Sequence, residues 1–193
     1  MGFLTEKCIY TVLTEEILSK AKPFTCGNKD LDDFFRNDAM PYSDQLLGKT
    51  YCYLLEEDPT TIVCLYTLAN SSIRADLLPN NRKSKLVKDV PFQKRMKRYP
   101  TVLIGRLGVA EQFQHLGISD ELMDIIKMQV TDDDYLTCAR YLAVDSYNEL
   151  RPRRYYARNG FKDLFSTEEQ EAQTINSPIP LPTRFMYFDL INV

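Results

Sequence analysis

The stretch Leu107-Gly108-Val109-Ala110-Glu111-Gln112-Phe113-Gln114-His115-Leu116-Gly117-Ile118-Ser119 joins an apolar run to an amphipathic one. Upstream, Thr101 to Val109 (TVLIGRLGV) reads as a central strand. Downstream, Leu122, Ile125, Ile126 and Val130 keep the 3.6-residue period of a helix. Backbone N–H groups at a helix N-terminus lack intrahelical partners and form an anion site, strongest for phosphate. Gly117 lets the backbone come close to such a ligand, and the small Ser119 keeps the cradle open. The spacing is neither a Walker loop nor a GxGxxG fingerprint, which disfavours nucleoside triphosphates and dinucleotides. Taken alone, the same residues also fit a plain strand–helix junction.

Working outward, Glu6 to Leu13 alternates and reads as a first strand, and Thr14-Glu15-Glu16 opens a short helical segment closed by Pro23. Asn28 is a predicted N-cap, with Asp30, Asp32 and Asp33 where the helix dipole favours them and Leu31, Phe34 and Phe35 on one face. Lys49 to Leu55 and Thr61 to Leu68 are predicted to form a hairpin about Glu57-Asp58-Pro59-Thr60. Beyond the cradle, Tyr141 to Val144 reads as a strand and Glu149 to Arg158 as a helix, with Pro152 in its first turn. Asn159-Gly160 is a helix C-cap signal, Phe161 starts a strand, Ser166 to Pro182 reads as a long polar loop, and Arg184 to Asp189 closes the chain as a strand.

The 193 residues suit a single domain spanning 1–193. No apolar run approaches the roughly 20 residues of a membrane span, and the first residues, MGFLTE, resemble neither a signal peptide nor a myristoylation site. The five cysteines are scattered with no CxxC pair, and His115 is the one histidine. A metal site and a disulfide framework are therefore not expected, and the free thiols suit a reducing cytoplasm. Any scheme needing two histidines is excluded. The net charge of −3 disfavours broad nucleic-acid binding. Charge is nonetheless clustered: Arg82, Lys83, Lys85, Lys88, Lys94, Arg95, Lys97 and Arg98 face a single Asp89, and Arg151, Arg153, Arg154 and Arg158 form a second group. These read either as a docking surface or as solvated surface balanced by acids such as Asp132-Asp133-Asp134.

Gln114-x-x-Gly117-x-Ser119 resembles the Q/R-x-x-G-x-G/A signature of the GNAT-type N-acetyltransferases, with Ser119 in place of the usual Gly or Ala. Tyr155-Tyr156-Ala157-Arg158-Asn159-Gly160-Phe161 is similar to that family's Y-x-x-x-G-F element, with Tyr156 in the tyrosine position. Phe24-Thr25-Cys26-Gly27-Asn28-Lys29-Asp30-Leu31-Asp32-Asp33-Phe34-Phe35 resembles the F-x-C-G-x-x-x-L-D-x-F-L opening of one branch. Gly48-Lys49-Thr50-Tyr51, Tyr66-Thr67-Leu68 and Ile104-Gly105-Arg106-Leu107 match its next strands. That branch contains the toxin-type acetyltransferases that acetylate aminoacyl-tRNA, along with many members of unknown substrate. The resemblance implies a mixed α/β acyl-CoA N-acyltransferase fold, a central mixed sheet of about six to seven strands flanked by helices.

The resemblance also implies acetyl-CoA as cosubstrate and direct attack by a primary amine. Pyrophosphate would lie on Gln114, His115, Leu116, Gly117, Ile118 and Ser119. The pantetheine arm would run along Leu107, Gly108 and Val109 like an added strand. The Val109 N–H is the implied oxyanion donor and Tyr156 the acid for the departing thiolate. A base is missing: strand 101–109 has no carboxylate, and Glu111 and Asp145 are the nearest in sequence. An α-amine of pKa ~8 is partly neutral at pH 7, whereas a lysine amine at ~10.4 is not, so the missing base favours α-amines. Charged tRNA contacting Arg95, Arg98, Arg153 and Arg154, a small or peptidyl amine, and a non-catalytic GNAT-fold binding module all remain open readings. Expected partners are the amine, tRNA, an antitoxin protein and a second copy of the chain, with no membrane.

Overall fold

The computed structural model describes residues 2–88, 90–91, 93, 96–135 and 138–193. In chain order the elements are α1 (Phe3–Lys7), β1 (Cys8–Val12), α2 (Glu15–Lys20), α3 (Lys29–Asp33), a π-turn (Phe34–Asp38), α4 (Ala39–Asp44), β2 (Lys49–Leu55), β3 (Asp58–Arg74), α5 (Asn80–Leu86), β4 (Arg98–Val109), α6 (Ile118–Thr131), β5 (Tyr141–Tyr147), α7 (Leu150–Arg158), β6 (Lys162–Asp163), α8 (Glu168–Ile175) and β7 (Thr183–Asp189). The strands form a seven-stranded sheet in the order β1-β2-β3-β4-β5-β7-β6. The ladders β1–β2, β2–β3, β5–β7 and β6–β7 are antiparallel. This mixed α/β architecture is the one the sequence implies.

The chain forms two units: Met1–Asn70 with Ile104–Gln129, and Ser71–Leu103 with Val130–Val193. In the first, Thr14 caps α2 by accepting the Ile17 N–H, and the Asn28 side chain caps α3 by accepting from Asp30 and Leu31. The π-turn that continues α3 carries one more residue per turn than an α-helix, and the consecutive rings of Phe34 and Phe35 are both buried. They pack with Leu13, Cys52, Leu54, Ile62 and Leu65 into one core cluster. Helix α6 buries Ile118, Leu122, Met123 and Ile126. The predicted first strand begins two residues late. Phe3–Lys7 is helical because Thr5 and Gly2 bond reciprocally and the Glu121 carboxylate accepts the Thr5 N–H, a contact 116 residues away.

The second unit has its own cluster, including Ile73, Leu86, Tyr99, Tyr141, Phe165 and Tyr187. Tyr141 donates its hydroxyl to the Leu86 carbonyl at 2.6 Å, tying β5 to α5. The loop expected over 166–182 is overturned, because α8 occupies Glu168–Ile175. Thr167 caps it, Glu168, Glu169 and Glu171 fill its acidic first turn, and Asn176 ends it in the left-handed region. Its anchor is ionic. Arg184 Nε donates to Glu171 Oε2 at 2.6 Å with both side chains almost fully buried, and Phe185 N–H donates to the other carboxylate oxygen.

Candidate functional site

In the first unit, β4 runs out at Val109. The Ala110 N–H donates to Val63 O and the Glu111 N–H to Thr25 O, each at 2.9 Å. One short turn follows, and then His115 and Gly117 both take left-handed backbone, with φ of 64° and 78°. The Gly117 carbonyl accepts from Asp120 and Glu121, which starts α6. His115, Leu116 and Gly117 are exposed. The N–H groups of His115, Leu116, Gly117 and Ile118 donate to no acceptor among the described residues. A Cβ built on Gly117 would meet nothing within 4 Å. The turn therefore presents unspent donors to open space at a helix N-terminus, which is the geometry of an oxyanion cradle. Ser119 is half-buried behind it.

Gln114 faces inward. Its amide Nε2 donates to Cys26 O at 2.9 Å and to Val109 O at 3.0 Å, spending both amide hydrogens. The side chain thus pins the end of β4 to the Phe24–Asn28 loop, and its amide N–H groups are not available to a phosphate. Asp32 secures the same loop from α3: its carboxylate accepts the Cys26 N–H at 2.7 Å and the Thr25 hydroxyl at 2.8 Å. These bonds hold its carboxyl below the ordinary value against the opposing effect of burial. Gly108 is small for a packing reason, since a Cβ there would stand 3.2 Å from both Cys26 Sγ and Phe35 Cε2. The Cys26 thiol, pushed up to about 12 chiefly by burial, acts as packing. Of the two carboxylates near in sequence, Glu111 lies against Gly27 and Asp145 is exposed on β5.

In the second unit, Tyr156 sits on α7 with 8% of its surface exposed. Its ring meets Tyr155 at 5.0 Å and Phe161 at 5.4 Å between centroids, both edge-on. Gly160, at φ 85°, turns the chain so that the Phe161 N–H reaches Tyr156 O, bringing Phe161 back onto the tyrosine. Burial, with a smaller contribution from Tyr147, pushes the Tyr156 hydroxyl well above the ordinary phenol value.

The basic residues divide. Arg153 is engaged with both carboxylate oxygens of Asp163, at 3.1 and 3.0 Å. Arg154 on α7 and Arg98 at the head of β4 are exposed, and Arg95 lies outside the described residues. Arg82, part of the basic connection, is structural: Nε donates to Leu164 O at 2.6 Å and Nη2 donates to Asp163 O. Sequence reading missed the roles of Asp32 and Gln114, whose partners are set by the fold. It gave Arg106, the one charge in the TVLIGRLGV run, no role of its own beyond its place in the Ile104–Leu107 match. Among the described residues no group of His, Cys, Asp and Glu is arranged to hold a metal, and no helix is long and apolar enough to cross a membrane.

No protein-family model and no curated protein matches the sequence. Solved structures do match the fold. One described as a bacterial toxin superposes with a TM-score of 0.72 at 18% identity, over 96% of this chain and 92% of that one. AtaT complexed with acetyl-methionyl-tRNAfMet gives 0.67 at 18% identity, over 96% of each chain. A tyrosine-to-phenylalanine mutant of the AtaT toxin, bound to the C-terminus of the antitoxin AtaR and acetyl-CoA, gives 0.61 at 15% identity, over 97% and 96%. At these identities the likeness is one of fold.

Proposed function

We propose that the chain is an acetyl-CoA-dependent N-acetyltransferase of the GNAT type, acting as one domain on the α-amino group of aminoacyl-tRNA. The observation that carries this reading is the open turn His115–Ile118, with unspent N–H donors and no side chain at Gly117. A pyrophosphate is the ligand such a turn fits best. The fold it shares with AtaT, seen with acetyl-CoA and with an acetylated aminoacyl-tRNA, supplies the chemistry.

In this reading backbone donors of His115, Leu116, Gly117, Ile118 and Ser119 hold the pyrophosphate. Gln114 contributes by bracing the turn. Leu107, Gly108 and Val109 hold the pantetheine arm through backbone groups. The amine attacks the thioester carbon, the Val109 N–H stabilises the resulting oxyanion, and the C–S bond then breaks. Tyr156, neutral at working pH, gives its proton to the departing thiolate, so CoA leaves as the thiol. The nitrogen sheds its extra proton to solvent as the amide forms, and the tyrosine is reprotonated from solvent. No covalent enzyme intermediate is involved. The strand lacks a carboxylate base, which suits an α-amine already partly neutral at pH 7. Arg98 and Arg154, with Arg95, contribute to docking the nucleic acid, while Arg153 orients α7 through Asp163. An antitoxin protein and a second copy of the chain are proposed partners, and the free thiols suit a cytoplasmic setting.

The test is CoA-thiol release from acetyl-CoA with a pool of charged tRNA, against uncharged tRNA. Release with the charged pool alone supports the reading. No release, on protein that binds acetyl-CoA, refutes the acceptor and transfers the case to small or peptidyl amines. No acetyl-CoA binding leaves the non-catalytic module.

A further inference from the structure

Arg106 is the only charged residue in the TVLIGRLGV run, and its surroundings are unusual for an arginine. Its guanidinium lies over the Phe34 ring, with Cζ 4.8 Å from the centroid. Nη1 donates to its neighbour's carbonyl, Gly105 O, at 2.8 Å. Nε is buried with no partner, and no carboxylate pairs with the side chain among the described residues. Three other arginines held inside the structure have theirs, Arg184 with Glu171, Arg140 with Asp189 and Arg153 with Asp163, and Arg82, with no carboxylate, spends its donors on the carbonyls of Leu164 and Asp163. A half-buried cation without a counter-ion is costly, and the fold retains one where a ligand completes it. A guanidinium is always charged, presents a fork of donors suited to paired oxygens, and is held in plane by the ring beneath it.

We propose that Arg106 is an acceptor-binding residue that takes a phosphodiester oxygen of the terminal nucleotide of the RNA. This deepens the proposed function and rests on it. Arg106 stands three residues before Val109, about 10 Å along an extended strand. In an aminoacyl ester, eight bonds separate the attacking nitrogen from the phosphorus that joins the last nucleoside to the chain. At roughly 1.3 Å of advance per bond they also span about 10 Å. The amino acid's own carboxyl is esterified, so this phosphodiester is the nearest anion to the reacting amine. On β4, Arg106 and Gly108 share one face, which Cys26 and Phe35 line at Gly108.

The experiment compares three acceptors carrying the same amino acid: aminoacyl-tRNA, a 3′-aminoacyl dinucleotide ending in CpA, and 3′-aminoacyl adenosine without phosphate. The wild type is expected to prefer the dinucleotide over the nucleoside at least tenfold in kcat/KM, expressed in KM. In Arg106→Gln the ratio falls to within twofold of one; in Arg106→Lys, charged but without the fork, it lies between. A wild-type ratio near one, or a ratio unchanged in Arg106→Gln, overturns the proposal, and the wild-type ratio decides alone if the variants do not fold. If the wild type acetylates none of the three, the acceptor reading fails instead. Calorimetric titration of unacylated CpA against adenosine plus cytidine then tests Arg106 separately. Phosphate-dependent binding lost in Arg106→Gln supports the subsite. Equal binding by both proteins, or none by the wild type, overturns it.

Discussion

Gly117→Ala separates a ligand-binding turn from an ordinary one. Nothing stands within 4 Å of the added methyl, so there is no overpacking cost. The backbone cost remains, because a φ of 78° disfavours a side chain by about 1–2 kcal/mol. At roughly 2–4 °C per kcal/mol for a chain of this size, the apo protein should melt about 2–8 °C lower. The space the methyl enters is where the proposed pyrophosphate approaches the Gly117 N–H, so acetyl-CoA affinity should drop tenfold or more, about 1.4 kcal/mol. At a concentration one hundred times the wild-type Kd, acetyl-CoA stabilises the wild type by about 2.7 kcal/mol and such a variant by about 1.4 kcal/mol. Melting scans with and without acetyl-CoA, backed by calorimetry, read both quantities. Gly160→Ala is the control: it is equally left-handed, and its methyl would stand 2.9 Å from the Phe188 ring. It should lose more stability while keeping acetyl-CoA affinity within twofold. If Gly117→Ala melts lower but binds acetyl-CoA within twofold of the wild type, the cradle assignment is wrong.

Tyr156→Phe should lower kcat by about 10²–10⁴ with little change in acetyl-CoA Kd, and because burial holds the phenol neutral, the wild-type rate should show no loss from its ionisation up to pH 10. Full activity in the variant, or a basic limb that the mutation removes, would discard the acid role. Arg184→Met should cost about 3–5 kcal/mol in urea unfolding by stranding the Glu171 charge. Adding Glu171→Leu should recover most of this but not all, since the Phe185 N–H then loses its acceptor; a double variant as unstable as the single one would contradict that account. Iodoacetamide at pH 8 should label the exposed Cys138 first, because burial and the carboxylates of Glu121 and Glu56 push Cys8 up to about 11 and burial pushes Cys26 to about 12. Mass spectrometry showing Cys8 labelled as fast as Cys138 would contradict this.

Local chemistry made part of the fold legible. Asn28, Thr14 and Gly160 each signal a helix end through their own side chain or its absence, and each sits where expected. The period of α6 was readable because its buried residues, Leu122, Ile126 and Val130, are apolar. Helix α8 was not, because what it buries includes a carboxylate. Glu171 looks like surface until Arg184, 13 residues on, folds against it. The cradle was legible as a turn with Gly117, but the inward amide of Gln114 was not, since its partner Cys26 lies 88 residues away. A motif names the residue; the direction its side chain takes is decided by contacts the motif does not contain.

The interleaving of the two units has a consequence for synthesis. The chain leaves the first unit after Asn70, re-enters at Ile104 and leaves it again after Gln129. A growing polypeptide therefore has no complete unit until the cradle and most of α6 have emerged, and nascent β1–β2–β3 must wait for them with an unfinished core. The second unit waits longer still. Its strand β7 follows both β5 and β6 in the chain, yet lies between them and pairs with both. The sheet that carries β5 and β6 is therefore completed only once β7 has been made, and until then neither of those strands has this neighbour.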